Sequence, residues 1–154
     1  MGKRHTARRL VMQALYEHEN SKAPCVDIVA RSVRENETNP EGGRFAEELA
    51  HQIDNHRSEI ESEIRKHLKS WNYERLSLVD RSILSLAIGE MMYTNEPPAV
   101  VLDEAVLLSE EYGGEDSPHF VNGVLGAVYR DRYNPASVHS CLPESFKKKG
   151  RSRK

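Results

Sequence analysis

Residues 77–92 read SLVDRSILSLAIGEMM and contain the longest uncharged apolar run of the chain, Ser82 to Gly89. Ser77 is a residue type favoured at helix N-caps, because its hydroxyl can accept a backbone N–H of the first turn. The apolar residues after it cover most of the circumference of a helix, which is typical of a helix buried on all sides. They are Val79, Ile83, Leu84, Leu86, Ala87, Ile88, Met91 and Met92. The sequence therefore predicts a central helix around which the rest of the chain packs.

Three amphipathic helices are predicted before this central helix. The first covers about 6–20, where apolar residues recur at three- and four-residue spacing. Asp27 is the predicted N-cap of a short second helix. The third is predicted as one helix of about seven turns, from Phe45 to Trp71, with a single apolar stripe.

Further helices are predicted after the central one. Pro97-Pro98 breaks the chain, Asp103-Glu104 fall in the opening of a fifth helix, and Gly113-Gly114 end it. Ser117-Pro118 predict a sixth helix with Ser as N-cap and Pro as first residue. No segment has the pattern of a strand. The prediction is an all-α protein of about three N-terminal and three or four C-terminal helices, joined near 71–76.

Length and composition indicate a small helix-rich protein. The chain has 154 residues, of which 38% are hydrophobic and 30% charged. No apolar run approaches the roughly 18 to 20 residues of a membrane-spanning helix. Cys25 and Cys141 lie far apart without zinc-ligand spacing, so neither a disulfide framework nor a zinc site is predicted. No secretory signal is recognisable, and a cytoplasmic location is predicted, with a transit peptide and N-myristoylation as alternatives.

Positive charge is concentrated at the two ends of the chain. Residues 1–9 contain four basic residues and residues 147–154 contain six, with no acid in either segment. Since the net charge is −2, the rest of the chain carries −12. This asymmetry predicts a polyanionic partner. Arg4, Arg8 and Arg9 lie on or just before a helix, as in arginine-rich RNA binders. For the C-terminal run, a solvated tail is the alternative to loose nucleic-acid binding.

The chain has no recognisable catalytic motif. It lacks a phosphate loop, a Gly-x-Ser-x-Gly nucleophile elbow and the His-Glu-x-x-His zinc motif. Glu48 and His51 have the Glu-x-x-His spacing of di-iron bundles, but such sites need two copies. Glu63 and His67 are predicted to form a surface ion pair. The sequence predicts no enzyme, no catalytic residue, no metal and no cofactor.

Several segments of the sequence resemble a known family. Near the N-terminus, Arg8-Arg9 is followed by QALY at 13–16. The matching segments of the C-terminal half are VDRSIL (79–84), AIGE (87–90), DEAV (103–106) and YGGEDSPHFVNGVL (112–125). The run Phe-Val-Asn-Gly-x-Leu at 120–125 is the most specific of them. Over roughly residues 4–130, the chain resembles the Nus factor B family of transcription antitermination proteins.

The resemblance implies an all-α fold of two packed three-helix bundles. It implies a single helical domain over 1–134, with sub-bundles over about 5–72 and 76–134, and a basic tail over 135–154. Members of the family are not enzymes, and they pair with the small-subunit ribosomal protein that acts as Nus factor E. The heterodimer binds the boxA element of ribosomal RNA leader transcripts. The expected partners are therefore single-stranded boxA-type RNA, Nus factor E and, indirectly, the RNA polymerase elongation complex, which is helped past terminators.

The resemblance also implies an RNA-binding surface on the first helix. Arg4, Arg8 and Arg9 would contact phosphates, and His5 would join them once it is protonated at lower pH. Tyr16, farther along the same helix, would stack on an unpaired base, with packing at the edge of the core as the alternative.

Two other surfaces are expected in the C-terminal half. His119 and Phe120 would face RNA at the start of the sixth helix, where free backbone N–H groups suit a phosphate. Core packing is the alternative for Phe120, and Gly123 would allow close helix approach. The acidic body suits a basic partner protein, for which Glu90 and Glu96 are the predicted binding residues.

The sequence leaves two other functions open. One is a helical protein-interaction module or homodimer without an RNA role, whose interface would respond only weakly to salt. The other is the helical part of an enzyme, because a similar domain precedes the catalytic domain of some RNA cytosine methyltransferases. That alternative needs a catalytic domain beyond Lys154.

Overall fold

The fold is entirely helical over the residues that the structure describes. A computed structural model describes residues 2–133 and contains no strand within them. Its seven α-helices are α1 (Lys3–Ser21), α2 (Cys25–Glu35), α3 (Pro40–Asn55), α4 (Arg57–Lys66), α5 (Leu78–Tyr93), α6 (Pro98–Tyr112) and α7 (Ser117–Arg132). A short 3-10 helix, Tyr73–Arg75, follows α4. The predicted all-α class is confirmed.

The predicted basic tail, residues 135–154, lies outside the described residues, and Cys141 lies there with it. Among the helices within 2–133, none is both long and apolar enough to cross a membrane.

The helices pack as two bundles that share α5. Helices α1, α2 and α3 pack against one another, and α5, α6 and α7 do the same. Helix α5 also packs against α1, α3 and α4, so it joins the two bundles. One hydrophobic core therefore runs through both, and it includes Leu49 and Ile53 from α3 and Ile83 and Leu84 from α5. The two packed three-helix bundles are present, with α4 as an additional helix at their junction.

Helix α5 is the buried central helix that its sequence predicts. Except for Ser85, every residue from Ser82 to Met91 is buried. The Oγ of Ser77 accepts the backbone N–H of Asp80 at 3.0 Å, so the predicted N-cap is confirmed. Glu90 lies within this buried run, and a charge in such a position requires a partner.

The prediction of one seven-turn third helix is wrong, because the helix breaks at His56. This residue lies between α3 and α4 with φ −129° and ψ 31°. Its ring stacks on Tyr93, with 3.8 Å between the ring centroids. Ile53 and Ile60 are both buried, so the apolar stripe continues across the break and does not reveal it. Trp71 lies beyond α4 and is 60% exposed rather than on a buried stripe.

The predicted N-cap of α2 is also wrong. Asp27 lies inside the first turn, because α2 begins at Cys25. The cap comes instead from α3, where the carboxylate of Asp54 accepts the N–H groups of Cys25 and Val26 at 3.0 and 2.8 Å. Burial, with a smaller contribution from Asp54, raises the pKa of the Cys25 thiol to about 12. Cys25 is therefore a buried neutral thiol.

The starts of α6 and α7 differ from their predictions by a few residues. Helix α6 begins at Pro98, whose fixed φ suits a first turn, so Asp103-Glu104 lie in the second turn. Ser117 is the first residue of α7 rather than its N-cap. Its Oγ accepts the N–H of Gly114 at 3.0 Å and is therefore used by the preceding loop.

The close approach of α5 to the N-terminal bundle depends on Gly89. A Cβ added there would lie 2.7 Å from Cγ1 of Ile53 and 3.3 Å from Cδ1 of Ile60. Gly123, the glycine expected to allow close helix approach, would have nothing within 4 Å of an added Cβ. That expectation is corrected, since the tight packing lies at Gly89.

Gly89→Ala is expected to destabilise the protein, whereas Gly123→Ala is expected to stabilise it slightly. Both changes gain about 1 kcal/mol of helix propensity over glycine. Only the added methyl at residue 89 overpacks a core, which costs about 1–3 kcal/mol. Urea unfolding followed by circular dichroism measures both variants. Equal changes in the free energy of unfolding would contradict the tight packing at Gly89.

Candidate nucleic-acid interface

Helix α1 carries its basic residues on different faces. It has no acidic residue in its first turn, and Leu10 and Val11 are part of its buried face. Arg8 is buried with them, whereas Arg9 lines a groove at the surface. The arginines predicted as one cluster therefore do not form a single cationic surface.

Arg8 lies in a buried ion-pair network between α1 and α5. It is 3% exposed, and its partner Glu90 is 0% exposed. The Nε of Arg8 donates to the two carboxylate oxygens of Glu90 at 2.9 and 3.0 Å, and Nη2 donates to Oε2 at 2.6 Å. Glu96 and Glu104 lie 3.4 and 3.7 Å from the same guanidinium. Charges buried this deeply are tolerated because each one is paired and hydrogen-bonded.

The network keeps Arg8 cationic inside the protein. Burial by itself lowers the pKa of Arg8, but the hydrogen bond and charge of Glu90, with the charges of Glu104 and Glu96, raise it above its usual value. Burial also raises the pKa of Glu90, and the hydrogen bonds from Arg8 oppose that effect. The charge of Arg8 is therefore used to hold α1 against α5.

The two residues predicted to bind a protein partner belong to this network. Contact with a partner protein is predicted for Glu90, and this prediction is wrong because Glu90 is buried on α5, around which both bundles pack. Glu96 has a side chain that is 19% exposed and pairs with Arg4 and Arg8.

His5 and Arg4 are also engaged by neighbouring side chains. His5 is buried, with Nδ1 3.0 Å from Glu104 Oε1 and Nε2 3.3 Å from Glu111 Oε1. Arg4 stays half-exposed, and its guanidinium lies over the ring of Phe45, 4.5 Å from the centroid. Of these two predicted RNA contacts, only Arg4 reaches the surface.

A polar groove lies between α1, the α2–α3 loop and the end of α6. It encloses about 610 Å³. We call it the α1 groove, and its polar lining residues are Lys3, Thr6, Arg9, Gln13, Asn36, Thr38, Asn39 and Tyr112. No acidic side chain lines it among the described residues. The groove is therefore suited to an anionic ligand that also offers hydrogen-bonding groups.

Two cations of the α1 groove are available to a ligand. Arg9 makes no ion pair with any residue in the range 2–133. Lys3 lies 3.2 Å from Glu41, but both side chains are more than half exposed. Because such a surface pair contributes only about 0–1 kcal/mol, a phosphate can replace it.

Two exposed tyrosines accompany these cations. Tyr16 is 43% exposed and shares a face of α1 with Arg9 and Gln13, since the three have four- and three-residue spacing. Tyr112 is 40% exposed and reaches the groove from α6. Aromatic faces beside amides and cations are the groups that recognise single-stranded RNA.

His119 and Phe120 lie in the first turn of α7. His119 is exposed. Phe120 is half-buried, packs against the core and meets the ring of Trp71 edge-on, with centroids 5.2 Å apart. Part of the Phe120 ring is therefore packed against the core, as the alternative for this residue predicts. The RNA contacts of His119 and Phe120 stay a prediction.

Of the polar residues of the α1 groove, only Arg9 is predicted from the sequence to bind RNA. The seven others are Lys3, Thr6, Gln13, Asn36, Thr38, Asn39 and Tyr112. Gln13 is predictable from the sequence, because it follows Arg9 by one helical turn and so lies on the same face of α1. Asn39 and Tyr112 come from other elements, and only the tertiary arrangement brings them to α1.

Comparison with known proteins places the chain in a family. A model described as the NusB family matches residues 5–130. The chain belongs to the NusB family. A transcription antitermination protein NusB from Sorangium cellulosum is 39% identical over 140 residues, covering 86% of this chain and 100% of that protein. The corresponding protein of Bacillus subtilis is 35% identical over 130 residues, covering 84% of this chain and 96% of that one.

Solved structures of the NusB family share this fold. T. maritima NusB has a TM-score of 0.77 and 30% identity, over 83% of this chain and 91% of that chain. A crystal structure of the antitermination factors NusB and NusE in complex with double-stranded RNA gives a TM-score of 0.75 and 30% identity, over 84% of this chain and 97% of that chain. The family is one of transcription antitermination proteins and not of enzymes, in agreement with the sequence-based prediction.

Proposed function

We propose that this member of the NusB family is an RNA-binding transcription antitermination factor. It binds boxA-type single-stranded RNA of ribosomal RNA leader transcripts and supports elongation by RNA polymerase. The observation that carries the proposal is the α1 groove, where cations, amides and a tyrosine meet without an acidic lining residue among those described. Relatives named as transcription antitermination proteins support it.

Each type of side chain in the α1 groove has a role in the proposal. Lys3 and Arg9 neutralise phosphates. Gln13 and the Nδ2 of Asn39 hydrogen-bond to the edges of unpaired bases, while the Oδ1 of Asn39 caps α3. Tyr112 offers an aromatic face for stacking.

Other predicted contacts lie outside the groove or support it. Arg4, Tyr16 and His119 are exposed and are retained as proposed RNA contacts. His5 and Arg8 are buried, and their role in the proposal is to hold α1 in place.

The proposed protein partner is the small-subunit ribosomal protein that acts as Nus factor E. A similar solved structure contains NusB and NusE together with RNA. The acidic body of the chain suits a basic partner. Glu90 is not part of the proposed surface, because it is buried, whereas Glu96 is retained. The proposed location is the cytoplasm, where bacteria transcribe ribosomal RNA.

Titration of fluorescent RNA, followed by anisotropy, tests this function. A boxA-like single strand is expected to bind more tightly than a scrambled strand or a duplex. Log affinity is expected to fall with log salt by roughly 0.7 per phosphate contact, because bound phosphates release counterions. Nus factor E is expected to increase the affinity. The measurement is made at two salt concentrations, with and without that partner.

A protein-interaction module or homodimer without an RNA role predicts a different result. All three RNAs would bind equally weakly, with or without Nus factor E, and salt would change little. That result would overturn the proposed function and leave the family and the fold unaffected. Sedimentation of the same sample would then identify a homodimer.

A further inference from the structure

Three side chains with metal-binding atoms meet where the end of α4 approaches the end of α7. They are Glu63, His67 and Asp131, and one ligand atom of each lies within 4.8 Å of the others. The Nε2 of His67 is 3.3 Å from Oδ2 of Asp131. The Nδ1 of His67 is 3.8 Å from Oε2 of Glu63. None of the three lines the α1 groove, and the proposed function does not use them.

Glu63 supplies a buried carboxylate oxygen that lacks a hydrogen bond. Its side chain is 9% exposed, and Oε2 has no hydrogen-bond partner among the described residues. The nitrogens of His67 and Arg132 that face Oε2 lie 3.8 and 3.9 Å away, beyond hydrogen-bond distance. A buried polar atom left without a partner destabilises the protein, and a bound cation would remove that cost.

His67 is held in the tautomer that a metal ligand needs. Its Nδ1 lies 2.9 Å from the backbone oxygen of Glu63, so Nδ1–H donates to that carbonyl. In the neutral ring the lone pair is therefore on Nε2, which faces the carboxylate of Asp131. Nε2 and Oδ2 are then both hydrogen-bond acceptors, and they repel each other unless a cation lies between them or the imidazole ring is protonated. A backbone carbonyl on the far ring nitrogen is the usual support of a metal-binding histidine.

We propose that Glu63 Oε2, His67 Nε2 and Asp131 Oδ2 bind one divalent transition-metal ion of the Zn²⁺ class, with water as the fourth ligand. Two ligands that are each about 2.0–2.1 Å from a tetrahedral ion lie about 3.3 Å apart. Nε2 and Oδ2 already have this separation of 3.3 Å. One imidazole with two carboxylates suits Zn²⁺ better than Mg²⁺ or Ca²⁺, which prefer oxygen ligands alone.

Lys66 competes with the ion for the same carboxylates. Its Nζ lies 3.2 Å from Oδ2 of Asp131 and 3.9 Å from Oε1 of Glu63. The side chain of Lys66 is 61% exposed, so the ammonium can move into solvent when an ion binds. The ion would connect α4 to α7 and so stabilise the junction of the two bundles.

Calorimetric titration of Zn²⁺ into the full-length chain tests the site. His139 and Cys141 lie outside the described residues and have zinc-binding side chains, so the reference protein carries His139→Gln and Cys141→Ser. One Zn²⁺ per chain is expected to bind. His67→Gln and Asp131→Asn are each expected to weaken binding about tenfold or more. His51→Gln, which removes an exposed histidine on α3, is the matched control and is expected to leave binding unchanged.

Lys66→Met is expected to act in the opposite direction and to tighten Zn²⁺ binding severalfold, because the competing ammonium is removed. Zn²⁺ is also expected to raise the Tm of the reference protein and of Lys66→Met, but not that of His67→Gln. Circular dichroism confirms that each variant is folded. The site is overturned if the reference and Lys66→Met bind no stoichiometric Zn²⁺, or if His67→Gln and His51→Gln bind it equally. Neither outcome affects the RNA-binding proposal.

Discussion

Arg8→Met is expected to lower the free energy of unfolding by about 3–5 kcal/mol, because it leaves a buried carboxylate without its counter-charge. Glu90 is 0% exposed and receives three hydrogen bonds from Arg8. Urea unfolding followed by circular dichroism measures the loss. Arg9→Met is the matched control on the next residue of α1. It removes the same charge from the surface and is expected to change stability by less than about 0.5 kcal/mol.

The loss in Arg8→Met is expected to depend on pH. Burial raises the pKa of Glu90 even beside Arg8, and removal of the guanidinium raises it further. A carboxyl group whose pKa is higher in the folded state stabilises that state only while it is protonated. The loss of unfolding free energy in Arg8→Met is therefore expected to be small below about pH 4.3. It is expected to grow as the pH rises through the pKa that Glu90 has in the folded state.

Removal of both charges is expected to restore stability. Arg8→Met/Glu90→Leu replaces the ion pair by apolar side chains of similar size, which is often neutral for stability. An Arg8→Met variant as stable as Arg9→Met would contradict the buried network. A loss of RNA binding in an Arg8 variant would accordingly report a displaced α1 rather than a missing phosphate contact.

The second large effect is expected in RNA binding. Lys3→Ala/Arg9→Ala removes the two cations of the α1 groove and is expected to weaken RNA binding by about 1.5–3 kcal/mol, roughly 10- to 150-fold. The loss is expected to be similar for boxA-like and scrambled strands, since phosphates carry no sequence information. The slope of log affinity against log salt is expected to fall by about 1.4. Fluorescence anisotropy at several salt concentrations measures both quantities.

Lys69→Ala/Arg75→Ala is the matched control for this prediction. Both residues are exposed in the segment between the two bundles, and neither lines the α1 groove. The control removes the same net charge, so it reports the general electrostatic contribution. If both double variants lost affinity equally, RNA would not occupy the α1 groove. Reduced helicity in Lys3→Ala/Arg9→Ala would likewise contradict the assignment of these side chains to the surface.

Helices were predictable from the sequence because their signals are local. The residue spacing predicts the first helix over 6–20, and the structure has it at Lys3–Ser21. The central helix was recognised from its apolar residues and from Ser77, whose hydroxyl does cap it. Three- and four-residue spacing reports which side of a helix is buried, whatever lies against it.

Breaks and caps were missed where they depend on residues distant in the chain. His56 interrupts the helix beside Tyr93, which lies on α5. Asp54 caps α2 from α3, so the N-cap predicted at the nearer Asp27 is wrong. Neither partner is visible in a local window of sequence.

The basic residues on α1 also have some features that local sequence determines and others that only tertiary packing determines. The sequence by itself determined the helical class, the central helix and the cationic character of α1. It also placed Glu90 in an apolar helix, but it assigned Arg8 to RNA phosphates rather than to the buried face of α1. Only the tertiary structure joined this arginine and this glutamate, which are 82 residues apart, and left Arg9 facing the groove. The reason is physical: periodicity records burial, whereas pairing of buried charges depends on which helices pack together.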